Sequence, residues 1–329
     1  MKNFLGIIHF KTPILCREDI LGEKIPTRIN DINVHIHFPQ ITKQHEITHG
    51  AWNTVDFEIG PPTILKTTRK DNWGTVRGYN RLLDGDIQAV FACVNQVVVT
   101  CPVEDDYIEE IASKISRGIN NWRTKLYEHI ILLGKAHDVA VDDNFEREGL
   151  ATGFELYIDE NSSYKTLDFE QQIIIKAAFI EEDSCLSLAE IQNIFNSIDT
   201  TKKLKTEYQM YISAVIAQRQ GNTRYSVMEA TTATELCVTN RIMERCSELG
   251  IDGKGLCDSF YRSLGNRFDL LKHLGIEMAT KDPSSEIVKP RNQLFHNKKL
   301  VPTNEECSKV LSAAKQYLDR YMPSLYEEM

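Results

Sequence analysis

Two hydrophobic rhythms divide the chain. Up to about residue 180, apolar residues come in short runs of strand type: 4–10 (FLGIIHF), 32–38 (INVHIHF), 54–60 (TVDFEIG), 63–68 (TILKTT) and 86–101 (DIQAVFACVNQVVVTC). In 32–38 the alternation is strict, which puts Val34, Ile36 and Phe38 on one face of a strand. Gly60-Pro61-Pro62 and Asp84-Gly85 punctuate the runs as turns. One long helix interrupts them. Glu104-Asp105-Asp106 sets acids at its start, and Ile108, Ile111, Ile115, Ile119, Trp122, Leu126 and Ile130 follow at spacings of three and four. Shorter strands are predicted at 153–158 and 172–180, so the first 182 residues read as an α+β domain.

From Ser187 onward the strand rhythm stops. Helices are predicted at 187–198 and 203–219, within a connector spanning 183–220, and Gln220-Gly221-Asn222 breaks the chain before a helical domain, 221–329. Four amphipathic helices are expected there. The first, 224–249, carries Val238, Ile242, Cys246 and Leu249 on one stripe and stops at Gly250. The second, 255–274, carries Leu256, Phe260, Leu264, Phe268, Leu271 and Leu274 and stops at Gly275. The third lies near 284–298. The fourth runs from Asn304 to about Tyr321 behind a Thr303-x-x-Glu306 capping box, with Val310, Leu311, Ala314, Tyr317, Leu318 and Tyr321 inward.

The composition narrows the function classes. In 329 residues, 42% hydrophobic and 26% charged, there is material for a real core, and no apolar run reaches the roughly 18 residues that cross a bilayer. The start lacks the pattern of a secretory signal, so a cytoplasmic location without membrane contact is expected. The net charge of −9 argues against a protein that coats nucleic acid indiscriminately. That deficit sits entirely in the first 220 residues, with 23 basic against 32 acidic side chains; the remainder is balanced at 15 each. The eight cysteines form no CxxC pair, which points to reduced thiols rather than a zinc ribbon or a disulfide framework. There is no phosphate-binding G-x-x-x-x-G-K-[ST] loop and no G-x-G-x-x-G turn.

One segment stands out electrostatically. Lys289-Pro290-Arg291-Asn292-Gln293-Leu294-Phe295-His296-Asn297-Lys298-Lys299 holds four basic residues and a histidine, and no acid occurs between Glu286 and Glu305. On a helix Asn292 and His296 share a face, and Arg291 lies ~140° from His296, so the two bracket a groove. This set suits attack at a phosphodiester. A histidine near neutral pKa can move the ribose 2′-OH proton, as base or as acid. An arginine fork can hold the phosphate as its charge builds. Asn292 can orient either group, and Lys298 and Lys299 can attract the RNA backbone. No metal or other cofactor is needed. An arginine followed by a histidine at such spacing arises about once by chance in a chain this long, so the helical context must add to it.

In that context the last ~110 residues resemble the HEPN family. Arg291-Asn292-Gln293-Leu294-Phe295-His296 is similar to its Arg-x4-6-His ribonuclease motif, including a polar residue after the arginine, and it falls in the third helix of a terminal four-helix unit. The α+β domain in front makes the chain look most like the ApeA-type members. The resemblance implies a metal-independent endoribonuclease (a hydrolase in the broad sense) with Arg291 and His296 as catalytic pair and Asn292 as companion. It implies a homodimer whose motif helices meet across the two-fold axis, and a role as a toxin or abortive-infection effector in antiviral defence. The N-terminal domain would then sense a phage or cellular trigger. Where some family members carry a tyrosine two residues past the histidine, this chain has Lys298. A catalytically inactive HEPN module that only binds RNA or protein is the alternative.

A rival signature lies near the start. His45-Glu46-Ile47-Thr48-His49 spells H-E-x-x-H, which in a zinc metallopeptidase places two histidines and a general base on a helix. Its polar surroundings carry no helical apolar stripe, so a loop is expected, with a strand from Thr54. His35 and His37 are expected on the exposed polar face of their strand. Trp52, Trp73 and Trp122 are expected as core anchors. The basic and aromatic residues of Arg69-Lys70, Trp73 and Arg77–Arg81 are expected on a hairpin surface. Glu229, Glu235 and Glu244 are expected as solvated helix-face carboxylates; the alternative is that they reach the motif and position His296.

Overall fold

A computed structural model describes residues 2–49, 52–65, 72–81, 87–103, 107–134, 154–157, 185–296 and 301–327. It separates into two units, Met1–Thr201 and Lys202–Met329. The first is strand-rich and the second helical. The predicted strand 172–180, the acids 104–106 and Arg69-Lys70 lie outside the described residues.

In the first unit the strands are β1 (Lys2–Arg17), β2 (Lys24–Ile29), β3 (Ile32–His37), β4 (Gln40–His49), β5 (Trp52–Gly60), β6 (Gly74–Arg81), β7 (Ile87–Val103) and β8 (Phe154–Tyr157). An antiparallel sheet runs β2-β3-β7-β1-β8, with β6 on a further stretch of β7, while β4 and β5 form a separate ribbon. Asn30 and Asp31 both take positive φ, the two-residue turn whose twist suits the β2–β3 hairpin. The predicted strand 63–68 is a turn where it is described, at Thr63-Ile64. Two prolines before it, with no N–H to give, account for that.

The predicted long helix is α1 (Ile108–Leu132). Its stripe of Ile115, Ile119, Trp122, Leu126 and Ile130 is buried in one core with Val34, Ile36 and Phe38 of β3. Helix α2 (Leu188–Ser197), opened by the Ser187–Glu190 capping box, belongs to the same core. Phe195 stacks on Phe38 at 6.2 Å and meets Trp122 edge-on at 5.4 Å. Trp122 Nε1 donates to Thr27 Oγ1, which donates to the Phe195 carbonyl at 3.1 Å. The segment taken as a connector, 183–220, is therefore divided: α2 falls in the first unit and α3 (Thr206–Arg219) in the second.

The second unit is built on α3, α4 (Thr223–Glu248) and α8 (Asn304–Tyr321), which pack together. The Thr303–Glu306 capping box opens α8 as expected, and Val310, Leu311, Ala314, Tyr317, Leu318 and Tyr321 are all buried. Tyr317 is fully buried, against Phe268 and Tyr321. The single helix expected over 255–274 is instead two, α5 (Gly253–Ser259) and α6 (Leu264–His273). Ser263 caps α6 by accepting from the Asn266 N–H at 3.2 Å, and Phe260 is turned outward at 75% exposure. The third expected helix begins as a π-helical turn, Ser284–Val288, and continues as α7 (Lys289–His296). Pro290 explains the wide turn. It cannot donate to the carbonyl of Glu286, and its ring would press on that carbonyl in a tight α-helix. No described helix is long and apolar enough to cross a membrane.

Candidate functional site

On α4, Cys237, Val238 and Ile242 face the core, and Glu235 stands at the edge of that stripe. Its carboxylate joins three helices. Arg267 of α6 gives Nη1 to Glu235 Oε1 at 2.9 Å, and Arg291 of α7 gives Nη2 to Oε2 at 3.2 Å. The side chains keep 22%, 16% and 29% of their surface for Glu235, Arg267 and Arg291, so this is a partly desolvated cluster rather than a loose surface pair. Arg267 is held further by Thr239 Oγ1 at 2.9 Å and by the Tyr261 carbonyl, reached from its Nε at 3.2 Å. Thr239 in turn donates to the Glu235 carbonyl at 2.6 Å. Two guanidinium groups from different helices share one carboxylate.

Helix α7 is anchored independently. Leu294 is 1% exposed, and its carbonyl accepts from Arg224 Nη2 of α4 at 3.3 Å. Ahead of α7, Asp282 takes both the Ser285 N–H at 3.1 Å and the Ser285 hydroxyl at 2.7 Å; these bonds hold its carboxyl below the usual carboxylate range. Asn292 is exposed beside Arg291. His296 ends α7, and only its backbone is described; Lys298 and Lys299 lie outside the described residues. Five helical residues separate the Arg291 and His296 backbones, about 7.5 Å along the axis and ~140° around it.

Sequence spacing brought Arg291, Asn292 and His296 together on one helix but did not find Arg267. An arginine three residues after a buried leucine, Leu264, is common on amphipathic helices and carries no signal of its own. Of the three glutamates on α4, Glu244 pairs with Arg241 at 3.0 Å, and Glu229 interacts with the Tyr225 hydroxyl and raises its pKa. Glu235 is not the solvated carboxylate expected: it is largely covered where α6 and α7 meet α4, and it holds Arg291.

The rival signature takes another form. His45–His49 lies in β4, paired residue for residue with β5, and is neither the expected loop nor the helix a zinc metallopeptidase needs. A strand sets residues four apart at ~13 Å, against ~6 Å on a helix. Isoleucine and threonine in 41–48 favour the extended backbone, and the partner strand with buried Phe57 and Ile59 supplies the apolar pairing that the motif's own surroundings lack. His37 is not exposed either: it is 9% accessible, bonded through Nε2 to Thr100 Oγ1 at 2.8 Å. Burial, with Lys24 and His35 nearby, pushes its pKa down to about 4. Among the described residues no three or more His, Cys, Asp or Glu side chains are grouped to hold a metal ion. Trp73 and Trp122 are buried as expected.

No family model, curated protein or solved structure matches the chain.

Proposed function

We propose that this chain is a metal-independent endoribonuclease of HEPN type, whose helical unit carries the chemistry on α7. The observation that carries the reading is Arg291, partly exposed and held by Glu235 at 3.2 Å, one helical turn and a half from His296. The reaction is in-line attack of a ribose 2′-oxygen on its own phosphorus. The P–O5′ bond breaks, and the products are a 2′,3′-cyclic phosphate and a 5′-hydroxyl end. His296 takes the 2′-OH proton or delivers one to O5′. Arg291 holds the non-bridging oxygens as negative charge gathers on them. Asn292, exposed beside it, orients the phosphate or the imidazole, and Lys298 and Lys299 attract the flanking backbone. A homodimer would set two such helices together across its axis. In the cell the protein would act as a toxin or abortive-infection effector, with the strand-rich unit as the sensor of its trigger.

A second reading has support of its own. Arg291 already carries a carboxylate partner, as a purely structural arginine would, which suits a HEPN-type module that binds RNA without cutting it. Expression of the native chain and of His296→Ala, followed by sequencing of 5′-hydroxyl RNA ends, separates the two. New ends that depend on His296 support the nuclease. Their absence, with both chains equally benign, supports the binding module.

A further inference from the structure

The strongest unexplained feature of the helical unit is the turn between α5 and α6. Phe260 exposes 75% of its surface there, the most of the large hydrophobic residues described, yet the turn beneath it is firmly tied. Its carbonyl accepts from Asn266 Nδ2 at 3.4 Å, Arg262 Nε donates to the Asp258 carbonyl, and Ser263 caps the next helix. An aromatic ring kept in water on a rigid turn holds apolar area out at a cost of about 25 cal/mol per Å². The next residue, Tyr261, packs edge-on against His273 at 6.4 Å. Charge around the turn leans positive: within 253–275 there are Lys254, Arg262, Arg267 and Lys272 against Asp258 and Asp269, with Lys272 paired to Asp269 at 3.7 Å.

Continuity with the candidate site comes through a single side chain. Arg267 reaches the Tyr261 carbonyl with Nε and Glu235 with Nη1, and Glu235 holds Arg291. The exposed ring therefore belongs to a turn only one guanidinium and one carboxylate away from Arg291. Interleaved aromatic and basic side chains of this kind suit unpaired nucleotides, whose bases offer a π-face and whose phosphates seek cations. A base inside a duplex has both faces covered by its stacked neighbours.

We propose that the Phe260–Ser263 turn and Arg267 form a nucleotide subsite for single-stranded RNA beside Arg291, with a base stacked on Phe260 and the adjoining phosphate on Arg267. The choice of RNA as ligand rests on the ribonuclease reading; the stacking subsite itself does not. Glu235 spreads its two oxygens between Arg267 and Arg291, which ties the turn to the helix that carries Arg291. The subsite would select unpaired RNA and fix which nucleotide lies at the cut.

The test uses the full chain with EDTA present and a fluorescein-labelled 12-nucleotide oligouridylate, with a duplex of equal length for comparison. Binding is read by anisotropy in the His296→Ala chain, so that no cleavage intervenes. The subsite predicts that F260A weakens single-strand binding about tenfold, that F260W restores it, and that the duplex binds more weakly than the single strand. R267A should weaken binding and reduce the salt slope by about one. Because Phe260 is exposed, thermal unfolding of F260A should match that of the parent chain. Equal binding by F260A, equal binding of duplex and single strand, or a change in oligomeric state without loss of RNA affinity each overturns the subsite. The two claims fail separately. If Arg291→Ala stops cleavage while F260A binds normally, the nuclease stands without the subsite. If F260A binds poorly while Arg291→Ala leaves RNA ends unchanged, the subsite stands without the nuclease.

Discussion

In the strand-rich unit, the buried polar contacts are made one pair at a time. Lys125 meets Glu128 three residues along the same helix at 3.2 Å, Arg123 donates to the His9 carbonyl at 3.0 Å, and His37 rests on Thr100. In the helical unit, Glu235 gathers Arg267 and Arg291 from two other helices onto one carboxylate. The first pattern ties elements in place. The second also ties helices together, but it does so at a partly open surface, where Arg291 keeps part of its side chain accessible. On the proposed reading the chemistry belongs to the helical unit, and the strand pairing of the β4 histidines offers no rival zinc site of the helical kind.

The largest expected effect sharpens the structural half of the contrast. Trp122→Ala removes the ring on which Thr27 and Phe195 converge, and should destabilise the strand-rich unit by about 3–5 kcal/mol in denaturant unfolding. A loss under 1 kcal/mol would show that this core is looser than its contacts suggest.

Acid should act next, and on the same unit. His37 is neutral when folded, with its pKa lowered from 6.5 to about 4. The unfolded chain binds its proton first, so stability is complete above pH 6.5 and falls as pH drops toward 4. The loss should reach up to about 3 kcal/mol, and His37→Gln should flatten it. A His37→Gln chain as acid-sensitive as its parent over that window would remove His37 from the account.

A smaller effect is expected at the carboxylate. Glu235→Gln removes the carboxylate that ties Arg291 to Arg267 and weakens the positioning of Arg291, so kcat should drop about tenfold with no rise in KM for RNA. An unchanged kcat would make the Glu235 cluster a structural tie like those of the strand-rich unit, and the contrast between the units would lapse.

How much of this was legible along the chain depended on how local the deciding contact is. Helix α8 could be read whole, because its cap and its stripe are written within eighteen residues. The same holds for Val34, Ile36 and Phe38. Between α5 and α6 an apolar residue every fourth position, 256 to 268, imitates one continuous helix, and the cap at Ser263 outweighs that rhythm. Strand β4 draws its stability from β5, so its own polar sequence hides it. At the candidate site, Arg291, Asn292 and His296 are neighbours in sequence and were found. Glu235 and Arg267 lie 56 and 24 positions away from Arg291, and only folding brings them together.

The central claim is that Arg291 and His296 break RNA without a metal ion, and it meets its most direct test in one tube. Purified native chain is incubated with total RNA and excess EDTA beside its Arg291→Ala and His296→Ala variants, and the termini are identified. The account predicts cleavage by the native chain to 2′,3′-cyclic phosphate and 5′-hydroxyl ends, and at least a ~100-fold loss in either variant with folding intact. Cleavage that EDTA abolishes, or that both variants retain, would contradict it.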